Sequence, residues 1–162
     1  MEYENRGFAC CFTGHRGIPR DDEERIRKVL EEEIRKLIGG GYTDFWSGGA
    51  VGFDTLAAET VLKLKKEFSE IRLMLALPCK DQHKRWPSDD KCKYDRILRA
   101  AYEVVYLCET YCTGCMHLRN KYLVDHSSVC IAYKRSSGGG TEYTVNYARE
   151  EGVEVINIAY ML

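Results

Sequence analysis

The sequence predicts a three-layer α/β domain of Rossmann-like type, with a mostly parallel sheet and helices on both faces. Three observations predict it. Short apolar runs alternate with longer segments of helical periodicity along the whole chain. The runs are apolar on both faces, as strands covered by helices on both sides are. Glycine-rich loops recur where a run gives way to a helical segment, and in open parallel sheets ligands sit outside those strand ends.

Each element follows in turn from local pattern. Phe8 to Thr13 is an apolar first strand, followed by the turn Gly14-His15-Arg16-Gly17. Asp21 and Asp22 open a helix whose Ile26, Val29, Leu30, Ile34, Leu37 and Ile38 share one face. Gly39-Gly40-Gly41 stops it. Asp44 to Ser47 is a second strand, and the next helix places Phe53, Leu56, Ala57, Thr60, Val61, Leu64 and Phe68 on one face. Ile71 to Leu77 is a third strand, closed by Pro78. A polar loop through Trp86 and Pro87 leads to a helix from Asp89 to Ala101 and a strand from Val104 to Leu107. A cysteine-rich loop, Cys108 to Cys115, precedes a helix over Leu118 to Asp125. Val129 to Tyr133 is a fifth strand, Thr141 to Glu150 a helix, and Val153 to Ile158 the last strand.

Bulk properties bound the function. A length of 162 residues suits one domain, 1–162, with no repeat or linker to divide it. At 44% hydrophobic and 30% charged residues, the composition excludes whole-chain disorder. Lys and Arg number 24 against 25 Asp and Glu, a net charge of -1. A dedicated nucleic-acid binder shows a basic excess or stripe, so nucleic acid is not expected as a partner. Lys63, Lys65 and Lys66 read as a solvated helix face. With no leader-like start and no run of about 20 apolar residues, a cytoplasmic location is expected. The eight cysteines are then expected as reduced thiols.

The strand-to-helix loops carry the candidate chemistry. In Thr13-Gly14-His15-Arg16, glycine permits close approach of the backbone to a phosphate, and Arg16 offers a bidentate fork. His15 is a candidate hydrogen-bond donor or general acid. Ser47-Gly48-Gly49-Ala50-Val51-Gly52-Phe53-Asp54 runs from strand into helix, where free amides form an anion site. Asp54 is either a carboxylate favoured at a helix start or a ribose ligand. Gly138-Gly139-Gly140-Thr141 is a second cradle of the same kind, with Thr141 open to a simple capping role. Arg119 and Asn120 stand near a helix start, where a cation is unfavourable unless it faces an anion or a surface carboxylate. Cys108, Cys112, Cys115 and His117 have metal-ligand spacing. The expectation is nonetheless a loop of reduced thiols, with no metal and no cofactor. A zinc-stabilised interaction domain is the least favoured alternative.

These pieces, in this order, resemble the SLOG superfamily, which joins the DNA-processing protein DprA with the Lonely Guy enzymes. The YpsA-like bacterial branch is the most similar. The resemblance rests on Thr13-Gly14-His15-Arg16, on Ser47 to Asp54, and on Gly114-Cys115-Met116 with Arg119-Asn120. It continues through Val124-Asp125-His126-Ser127 and Gly139-Gly140-Thr141 with Tyr147-Ala148. It implies a Rossmann-like fold and a pocket for a nucleotide or nucleotide-derived ligand. Thr13, Gly14, His15, Arg16, Ser47, Gly48, Gly49, Gly52, Asp54, Arg119, Asn120, Gly138, Gly139, Gly140 and Thr141 would line it. Self-association is left open. Lonely Guy enzymes cleave the N-glycosidic bond of nucleoside monophosphates. Their Met-His-x-Arg pattern matches Met116-His117-Leu118-Arg119, so the resemblance makes Arg119 the catalytic arginine of an alternative, hydrolytic reading. Their Pro-Gly-Gly-x-Gly-Thr-x-x-Glu loop matches only in part. Ser136 and Ser137 replace its start, and its glutamate position falls on Thr144. Glu142, or Asp54, would have to supply the carboxylate.

Overall fold

A computed structural model describes residues 5–162, so residues 1–4 of the expected domain lie outside the described residues. Six strands form one sheet: β1 (Ala9–Gly14), β2 (Asp44–Ser47), β3 (Arg72–Cys79), β4 (Glu103–Cys108), β5 (Val129–Tyr133) and β6 (Glu154–Asn157). Every pairing is parallel, in the order β4-β3-β2-β1-β5-β6. Five helices connect them: α1 (Glu23–Gly39), α2 (Phe53–Lys65), α3 (Ser88–Ala100), α4 (Cys115–Asp125) and α5 (Gly139–Glu150). This is the predicted three-layer architecture.

The two-residue repeat of the strands sorts their side chains into two cores. Cys10, Phe12, Phe45, Leu73, Leu75, Leu77, Ile131 and Tyr133 face one way, with Ile26 and Leu30 of α1, Phe53 and Val61 of α2 and Ile97 of α3. Cys11, Trp46, Met74, Ala76 and Cys130 face the other way, with Leu123 and Val124 of α4 and Ala148 of α5. α4 packs on β4, β3 and β1, so it lies back across the sheet toward its centre. The chain runs outward from β1 to β4 and then returns to β5 on the other side of β1. Strand order therefore reverses beside β1, where open α/β sheets bind ligands.

Several boundaries move. Phe8 belongs to a 3-10 turn before β1, and Asp21 and Asp22 to another before α1. Pro78 does not close β3, which continues to Cys79. β2 stops opposite Leu75, so on that side the strand beyond needs no donor. α4 starts three residues early because Gly114, at φ 86°, turns the chain directly into it. Arg119 thus lies in the second turn of α4, not at its start. α5 starts within its glycines, and the last strand ends at Asn157 in a 3-10 turn. Among the described residues, no helix is long and apolar enough to cross a membrane.

Candidate functional site

A cavity of about 410 Å³ opens at the carboxyl ends of the strands, beside the reversal of strand order. That volume lies within the range of small-molecule sites. Phe12, Thr13, Gly14, His15 and Arg16 come from β1 and its loop, and Ala50 and Asp54 from the entry to α2. Met116, His117, Arg119, Asn120 and Leu123 come from α4, and Gly140 and Thr141 from the first turn of α5.

Arg119 is the centre of the wall. It is buried, at 6% exposure. Its Nη1 donates to the Gly48 carbonyl, its Nε donates to Asn120 Oδ1 at 2.8 Å, and its Nη2 reaches Met116 Sδ at 3.7 Å. Gly48 is glycine for this reason: a Cβ there would stand 2.6 Å from Arg119 Nη1 and 2.9 Å from Asp54 Oδ2. Burial pulls the guanidinium's pKa down, while Asp54 works against that pull. Asp54 is also buried, and its Oδ2 accepts from the Ala50 N–H at 3.1 Å. Burial pushes its carboxyl up from the ordinary range, opposed by Arg119 and then by the Ala50 bond. Arg16, exposed at the mouth, reaches the same Met116 sulfur at 3.9 Å. One thioether thus separates two guanidinium groups, with one carboxylate beneath them.

His15 is fixed as a neutral ring. Its Nε2 accepts from the Arg135 N–H at 2.9 Å, so the ring proton belongs on Nδ1. Burial lowers its pKa, and Arg135 and Lys134 add to the effect. On the opposite rim, His117 meets the exposed Tyr143 edge-on, with ring centroids 4.3 Å apart.

The structure brings together only part of the predicted set. Thr13, Gly14, His15, Arg16, Asp54, Arg119, Asn120, Gly140 and Thr141 line the cavity. Ser47, Gly48, Gly49 and Gly52 lie behind the wall and support it. Ser47 Oγ donates to the Asp54 carbonyl and accepts from the Gly49 N–H. Gly138 and Gly139 stand outside the lining, and Glu142 accepts from the Gly138 N–H at 2.5 Å. Glu142 therefore caps its own helix, and the carboxylate beside Arg119 is that of Asp54. Sequence reasoning had weighed His117 only as a metal ligand and had given Met116 no role of its own. Their spacing from Arg119 on one helix face was the signal available. Among the described residues, no group of three or more His, Cys, Asp or Glu is placed to hold a metal ion.

A family model described as the YspA SLOG family matches residues 11–160. The SPbeta prophage-derived protein YoqJ of Bacillus subtilis is 32% identical over 140 residues, covering 79% of this chain and 80% of its own. A UPF0398 protein of Halalkalibacterium halodurans is 32% identical over 139 residues, covering 84% of this chain and 71% of its own. Among solved structures, DNA processing protein A from Helicobacter pylori, described for its single-stranded DNA binding mode, superposes with a TM-score of 0.67 at 16% identity. Its counterpart from Streptococcus pneumoniae does so with a TM-score of 0.67 at 18% identity. Each match covers 93% of this chain, which spans only 65% and 50% of those two proteins. These neighbours overturn the expectation that set nucleic acid aside. The fold serves single-stranded DNA in the Helicobacter pylori protein, and charge summed over a whole chain does not report the field inside one cleft.

Proposed function

This chain belongs to the YspA SLOG family, and on that premise we propose that it binds a nucleotide or nucleotide-derived ligand in the cavity beside β1. The observation that carries the reading is the pair of guanidinium groups, Arg16 and Arg119, converging on one cavity against a single buried carboxylate. Such a wall suits an anionic group, and a guanidinium fork suits phosphate above other anions. Gly140 and Thr141 add the start of α5, where backbone amides and the helix dipole favour negative charge. His15 and the His117–Tyr143 pair offer ring faces at the mouth, on which a base can stack.

The test is a thermal-shift series with AMP, ATP, NAD, ADP-ribose, a cyclic dinucleotide and a single-stranded oligonucleotide, each repeated on Arg16→Ala. A ligand at a hundredfold excess over Kd adds about 2.7 kcal/mol. That corresponds to a rise in Tm of several degrees. The expected result is a rise with one ligand class that shrinks in the variant. No rise with any of them overturns the reading, and a rise with the oligonucleotide alone moves it to strand binding.

A second reading, hydrolysis of a nucleotide N-glycosidic bond, draws support from one observation: the Asp54 carboxylate is buried in the cavity wall beside Arg119. Glycosidic cleavage needs a carboxylate placed to stabilise developing positive charge or to activate water. Incubation with nucleoside monophosphates, followed by chromatography for free base, decides it. Release that is lost in Asp54→Asn and kept in Glu142→Ala supports hydrolysis; no release from any substrate ends it.

A further inference from the structure

The carboxyl ends of β3 and β4 gather thiols. Cys79 and Cys108 are register partners on these neighbouring strands. Beyond β4 the chain turns back, and Cys112 Sγ comes to 3.3 Å from Cys108 Sγ, donating its S–H toward it. The Cys115 N–H closes the turn by donating to the Cys112 carbonyl at 3.2 Å. Cys112 is exposed and Cys108 half-buried, whereas Cys79 and Cys115 are buried. The thiols form no metal cage among the described residues, but two of them stand in contact where solvent reaches them.

We propose that Cys108 and Cys112 are a redox-modification site, a dithiol that a hydroperoxide converts to a reversible intramolecular disulfide. The Cys108 thiolate attacks the peroxide O–O bond, displaces hydroxide and becomes a sulfenic acid. The Cys112 sulfur then attacks that sulfur. The S–S bond forms, the S–O bond breaks, and the departing hydroxide leaves as water with the Cys112 proton. Two thiols lose two hydrogens, and one hydrogen peroxide is reduced to two waters.

The geometry assigns the roles. Cys112 donates its S–H to Cys108 Sγ, so Cys108 is the acceptor sulfur of the pair. Closing the contact to a disulfide bond of about 2 Å takes a shift of roughly 1 Å. The turn through residues 109–114 is exposed and can supply it. Cys115, fully buried at the first position of α4, is shielded from the oxidant. The site matters because the same turn leads into α4, which brings Met116, His117, Arg119 and Asn120 to the cavity. The turn is also anchored by the Tyr111 N–H, which donates to Asp81 at 3.1 Å, and by the Lys80 N–H, which donates to the Glu109 carbonyl at 3.2 Å. A covalent link across the turn fixes the approach to that helix.

The experiment treats the native protein with hydrogen peroxide, alkylates the remaining thiols, and maps the digest by mass spectrometry. The expected product has lost two hydrogens, carries one link between Cys108 and Cys112, and returns to the starting mass with dithiothreitol. Cys112→Ser, a change at an exposed position, should stop at a sulfenic acid on Cys108 that dimedone traps. A link between Cys112 and Cys115 overturns the proposal. So does an unchanged mass, or a link that forms only after unfolding in urea.

Discussion

Gly52 has a backbone conformation and a close neighbour that both penalise any side chain. Its φ is +82°, and a Cβ there would lie 2.1 Å from the Arg16 carbonyl oxygen. Gly152 shares the left-handed region, at φ +76°, but has open space around it. Gly152→Ala should therefore cost about 1 kcal/mol for the conformation alone. Gly52→Ala should cost about 1–3 kcal/mol more, because the neighbour is backbone and must move. Urea denaturation of both variants measures the difference, and equal losses would show that the loop yields freely. His15 makes a pH prediction. Its neutral ring accepts from the Arg135 N–H, and its folded pKa lies below the ordinary 6.5. The unfolded chain takes up the proton first as pH falls. The contribution is complete above the unfolded pKa and is lost as pH drops below it. Stability measured from about pH 7.5 to about pH 5 should fall more in the wild type than in His15→Gln. Parallel curves would remove His15 from the account.

At the scale of elements, α4 and α5 hold the cavity's second wall, and one bond ties them directly. Tyr147 Oη of α5 donates to Asp125 Oδ1 of α4 at 2.7 Å, which pushes the Tyr147 phenol pKa well up. Tyr147→Phe removes a bond to a charged group and should cost about 1.5 kcal/mol. Amide exchange should quicken in α4 and α5 while α1, in the opposite layer, keeps its rate; uniform quickening would mean that the bond serves global stability only. Most elements were legible because each carries its own period. The errors fell where a residue's usual meaning was overruled by its neighbours. Pro78 reads as a stop, yet β3 passes through it because β2 has already ended. Gly139 and Gly140 read as loop, yet they form the first turn of α5 because Glu142 reaches back to the Gly138 N–H. Glu142, a candidate carboxylate by sequence position, accepts from the Gly138 N–H and so caps its own helix.

At the scale of the molecule, the strand order β4-β3-β2-β1-β5-β6 decides which loops meet. No local pattern contains that order. Arg16 and Arg119 are far apart in the chain, and they share a cavity because β1 is central and α4 lies back across the sheet. The first loop, the α4 arginine and the start of α5, singled out by their residue types, line the cavity. That Gly48 stands behind the wall was not legible, since it depends on Arg119 filling the space in front of it, while Gly49 faces Leu77 and Gly52 faces the Arg16 backbone. Net charge misled at this scale, because a sum near zero is compatible with a cleft dominated by guanidinium groups. The hold that Gly48 and Asn120 keep on Arg119 has a kinetic consequence. A long arginine chain gives up about 1.5–2 kcal/mol of rotamer freedom when it is immobilised, and here folding has already removed it. An arriving anion need not wait for the side chain to settle. Capture should run near the ordinary encounter rate for every ligand that fits, and selectivity should appear as residence time, in how long each one stays.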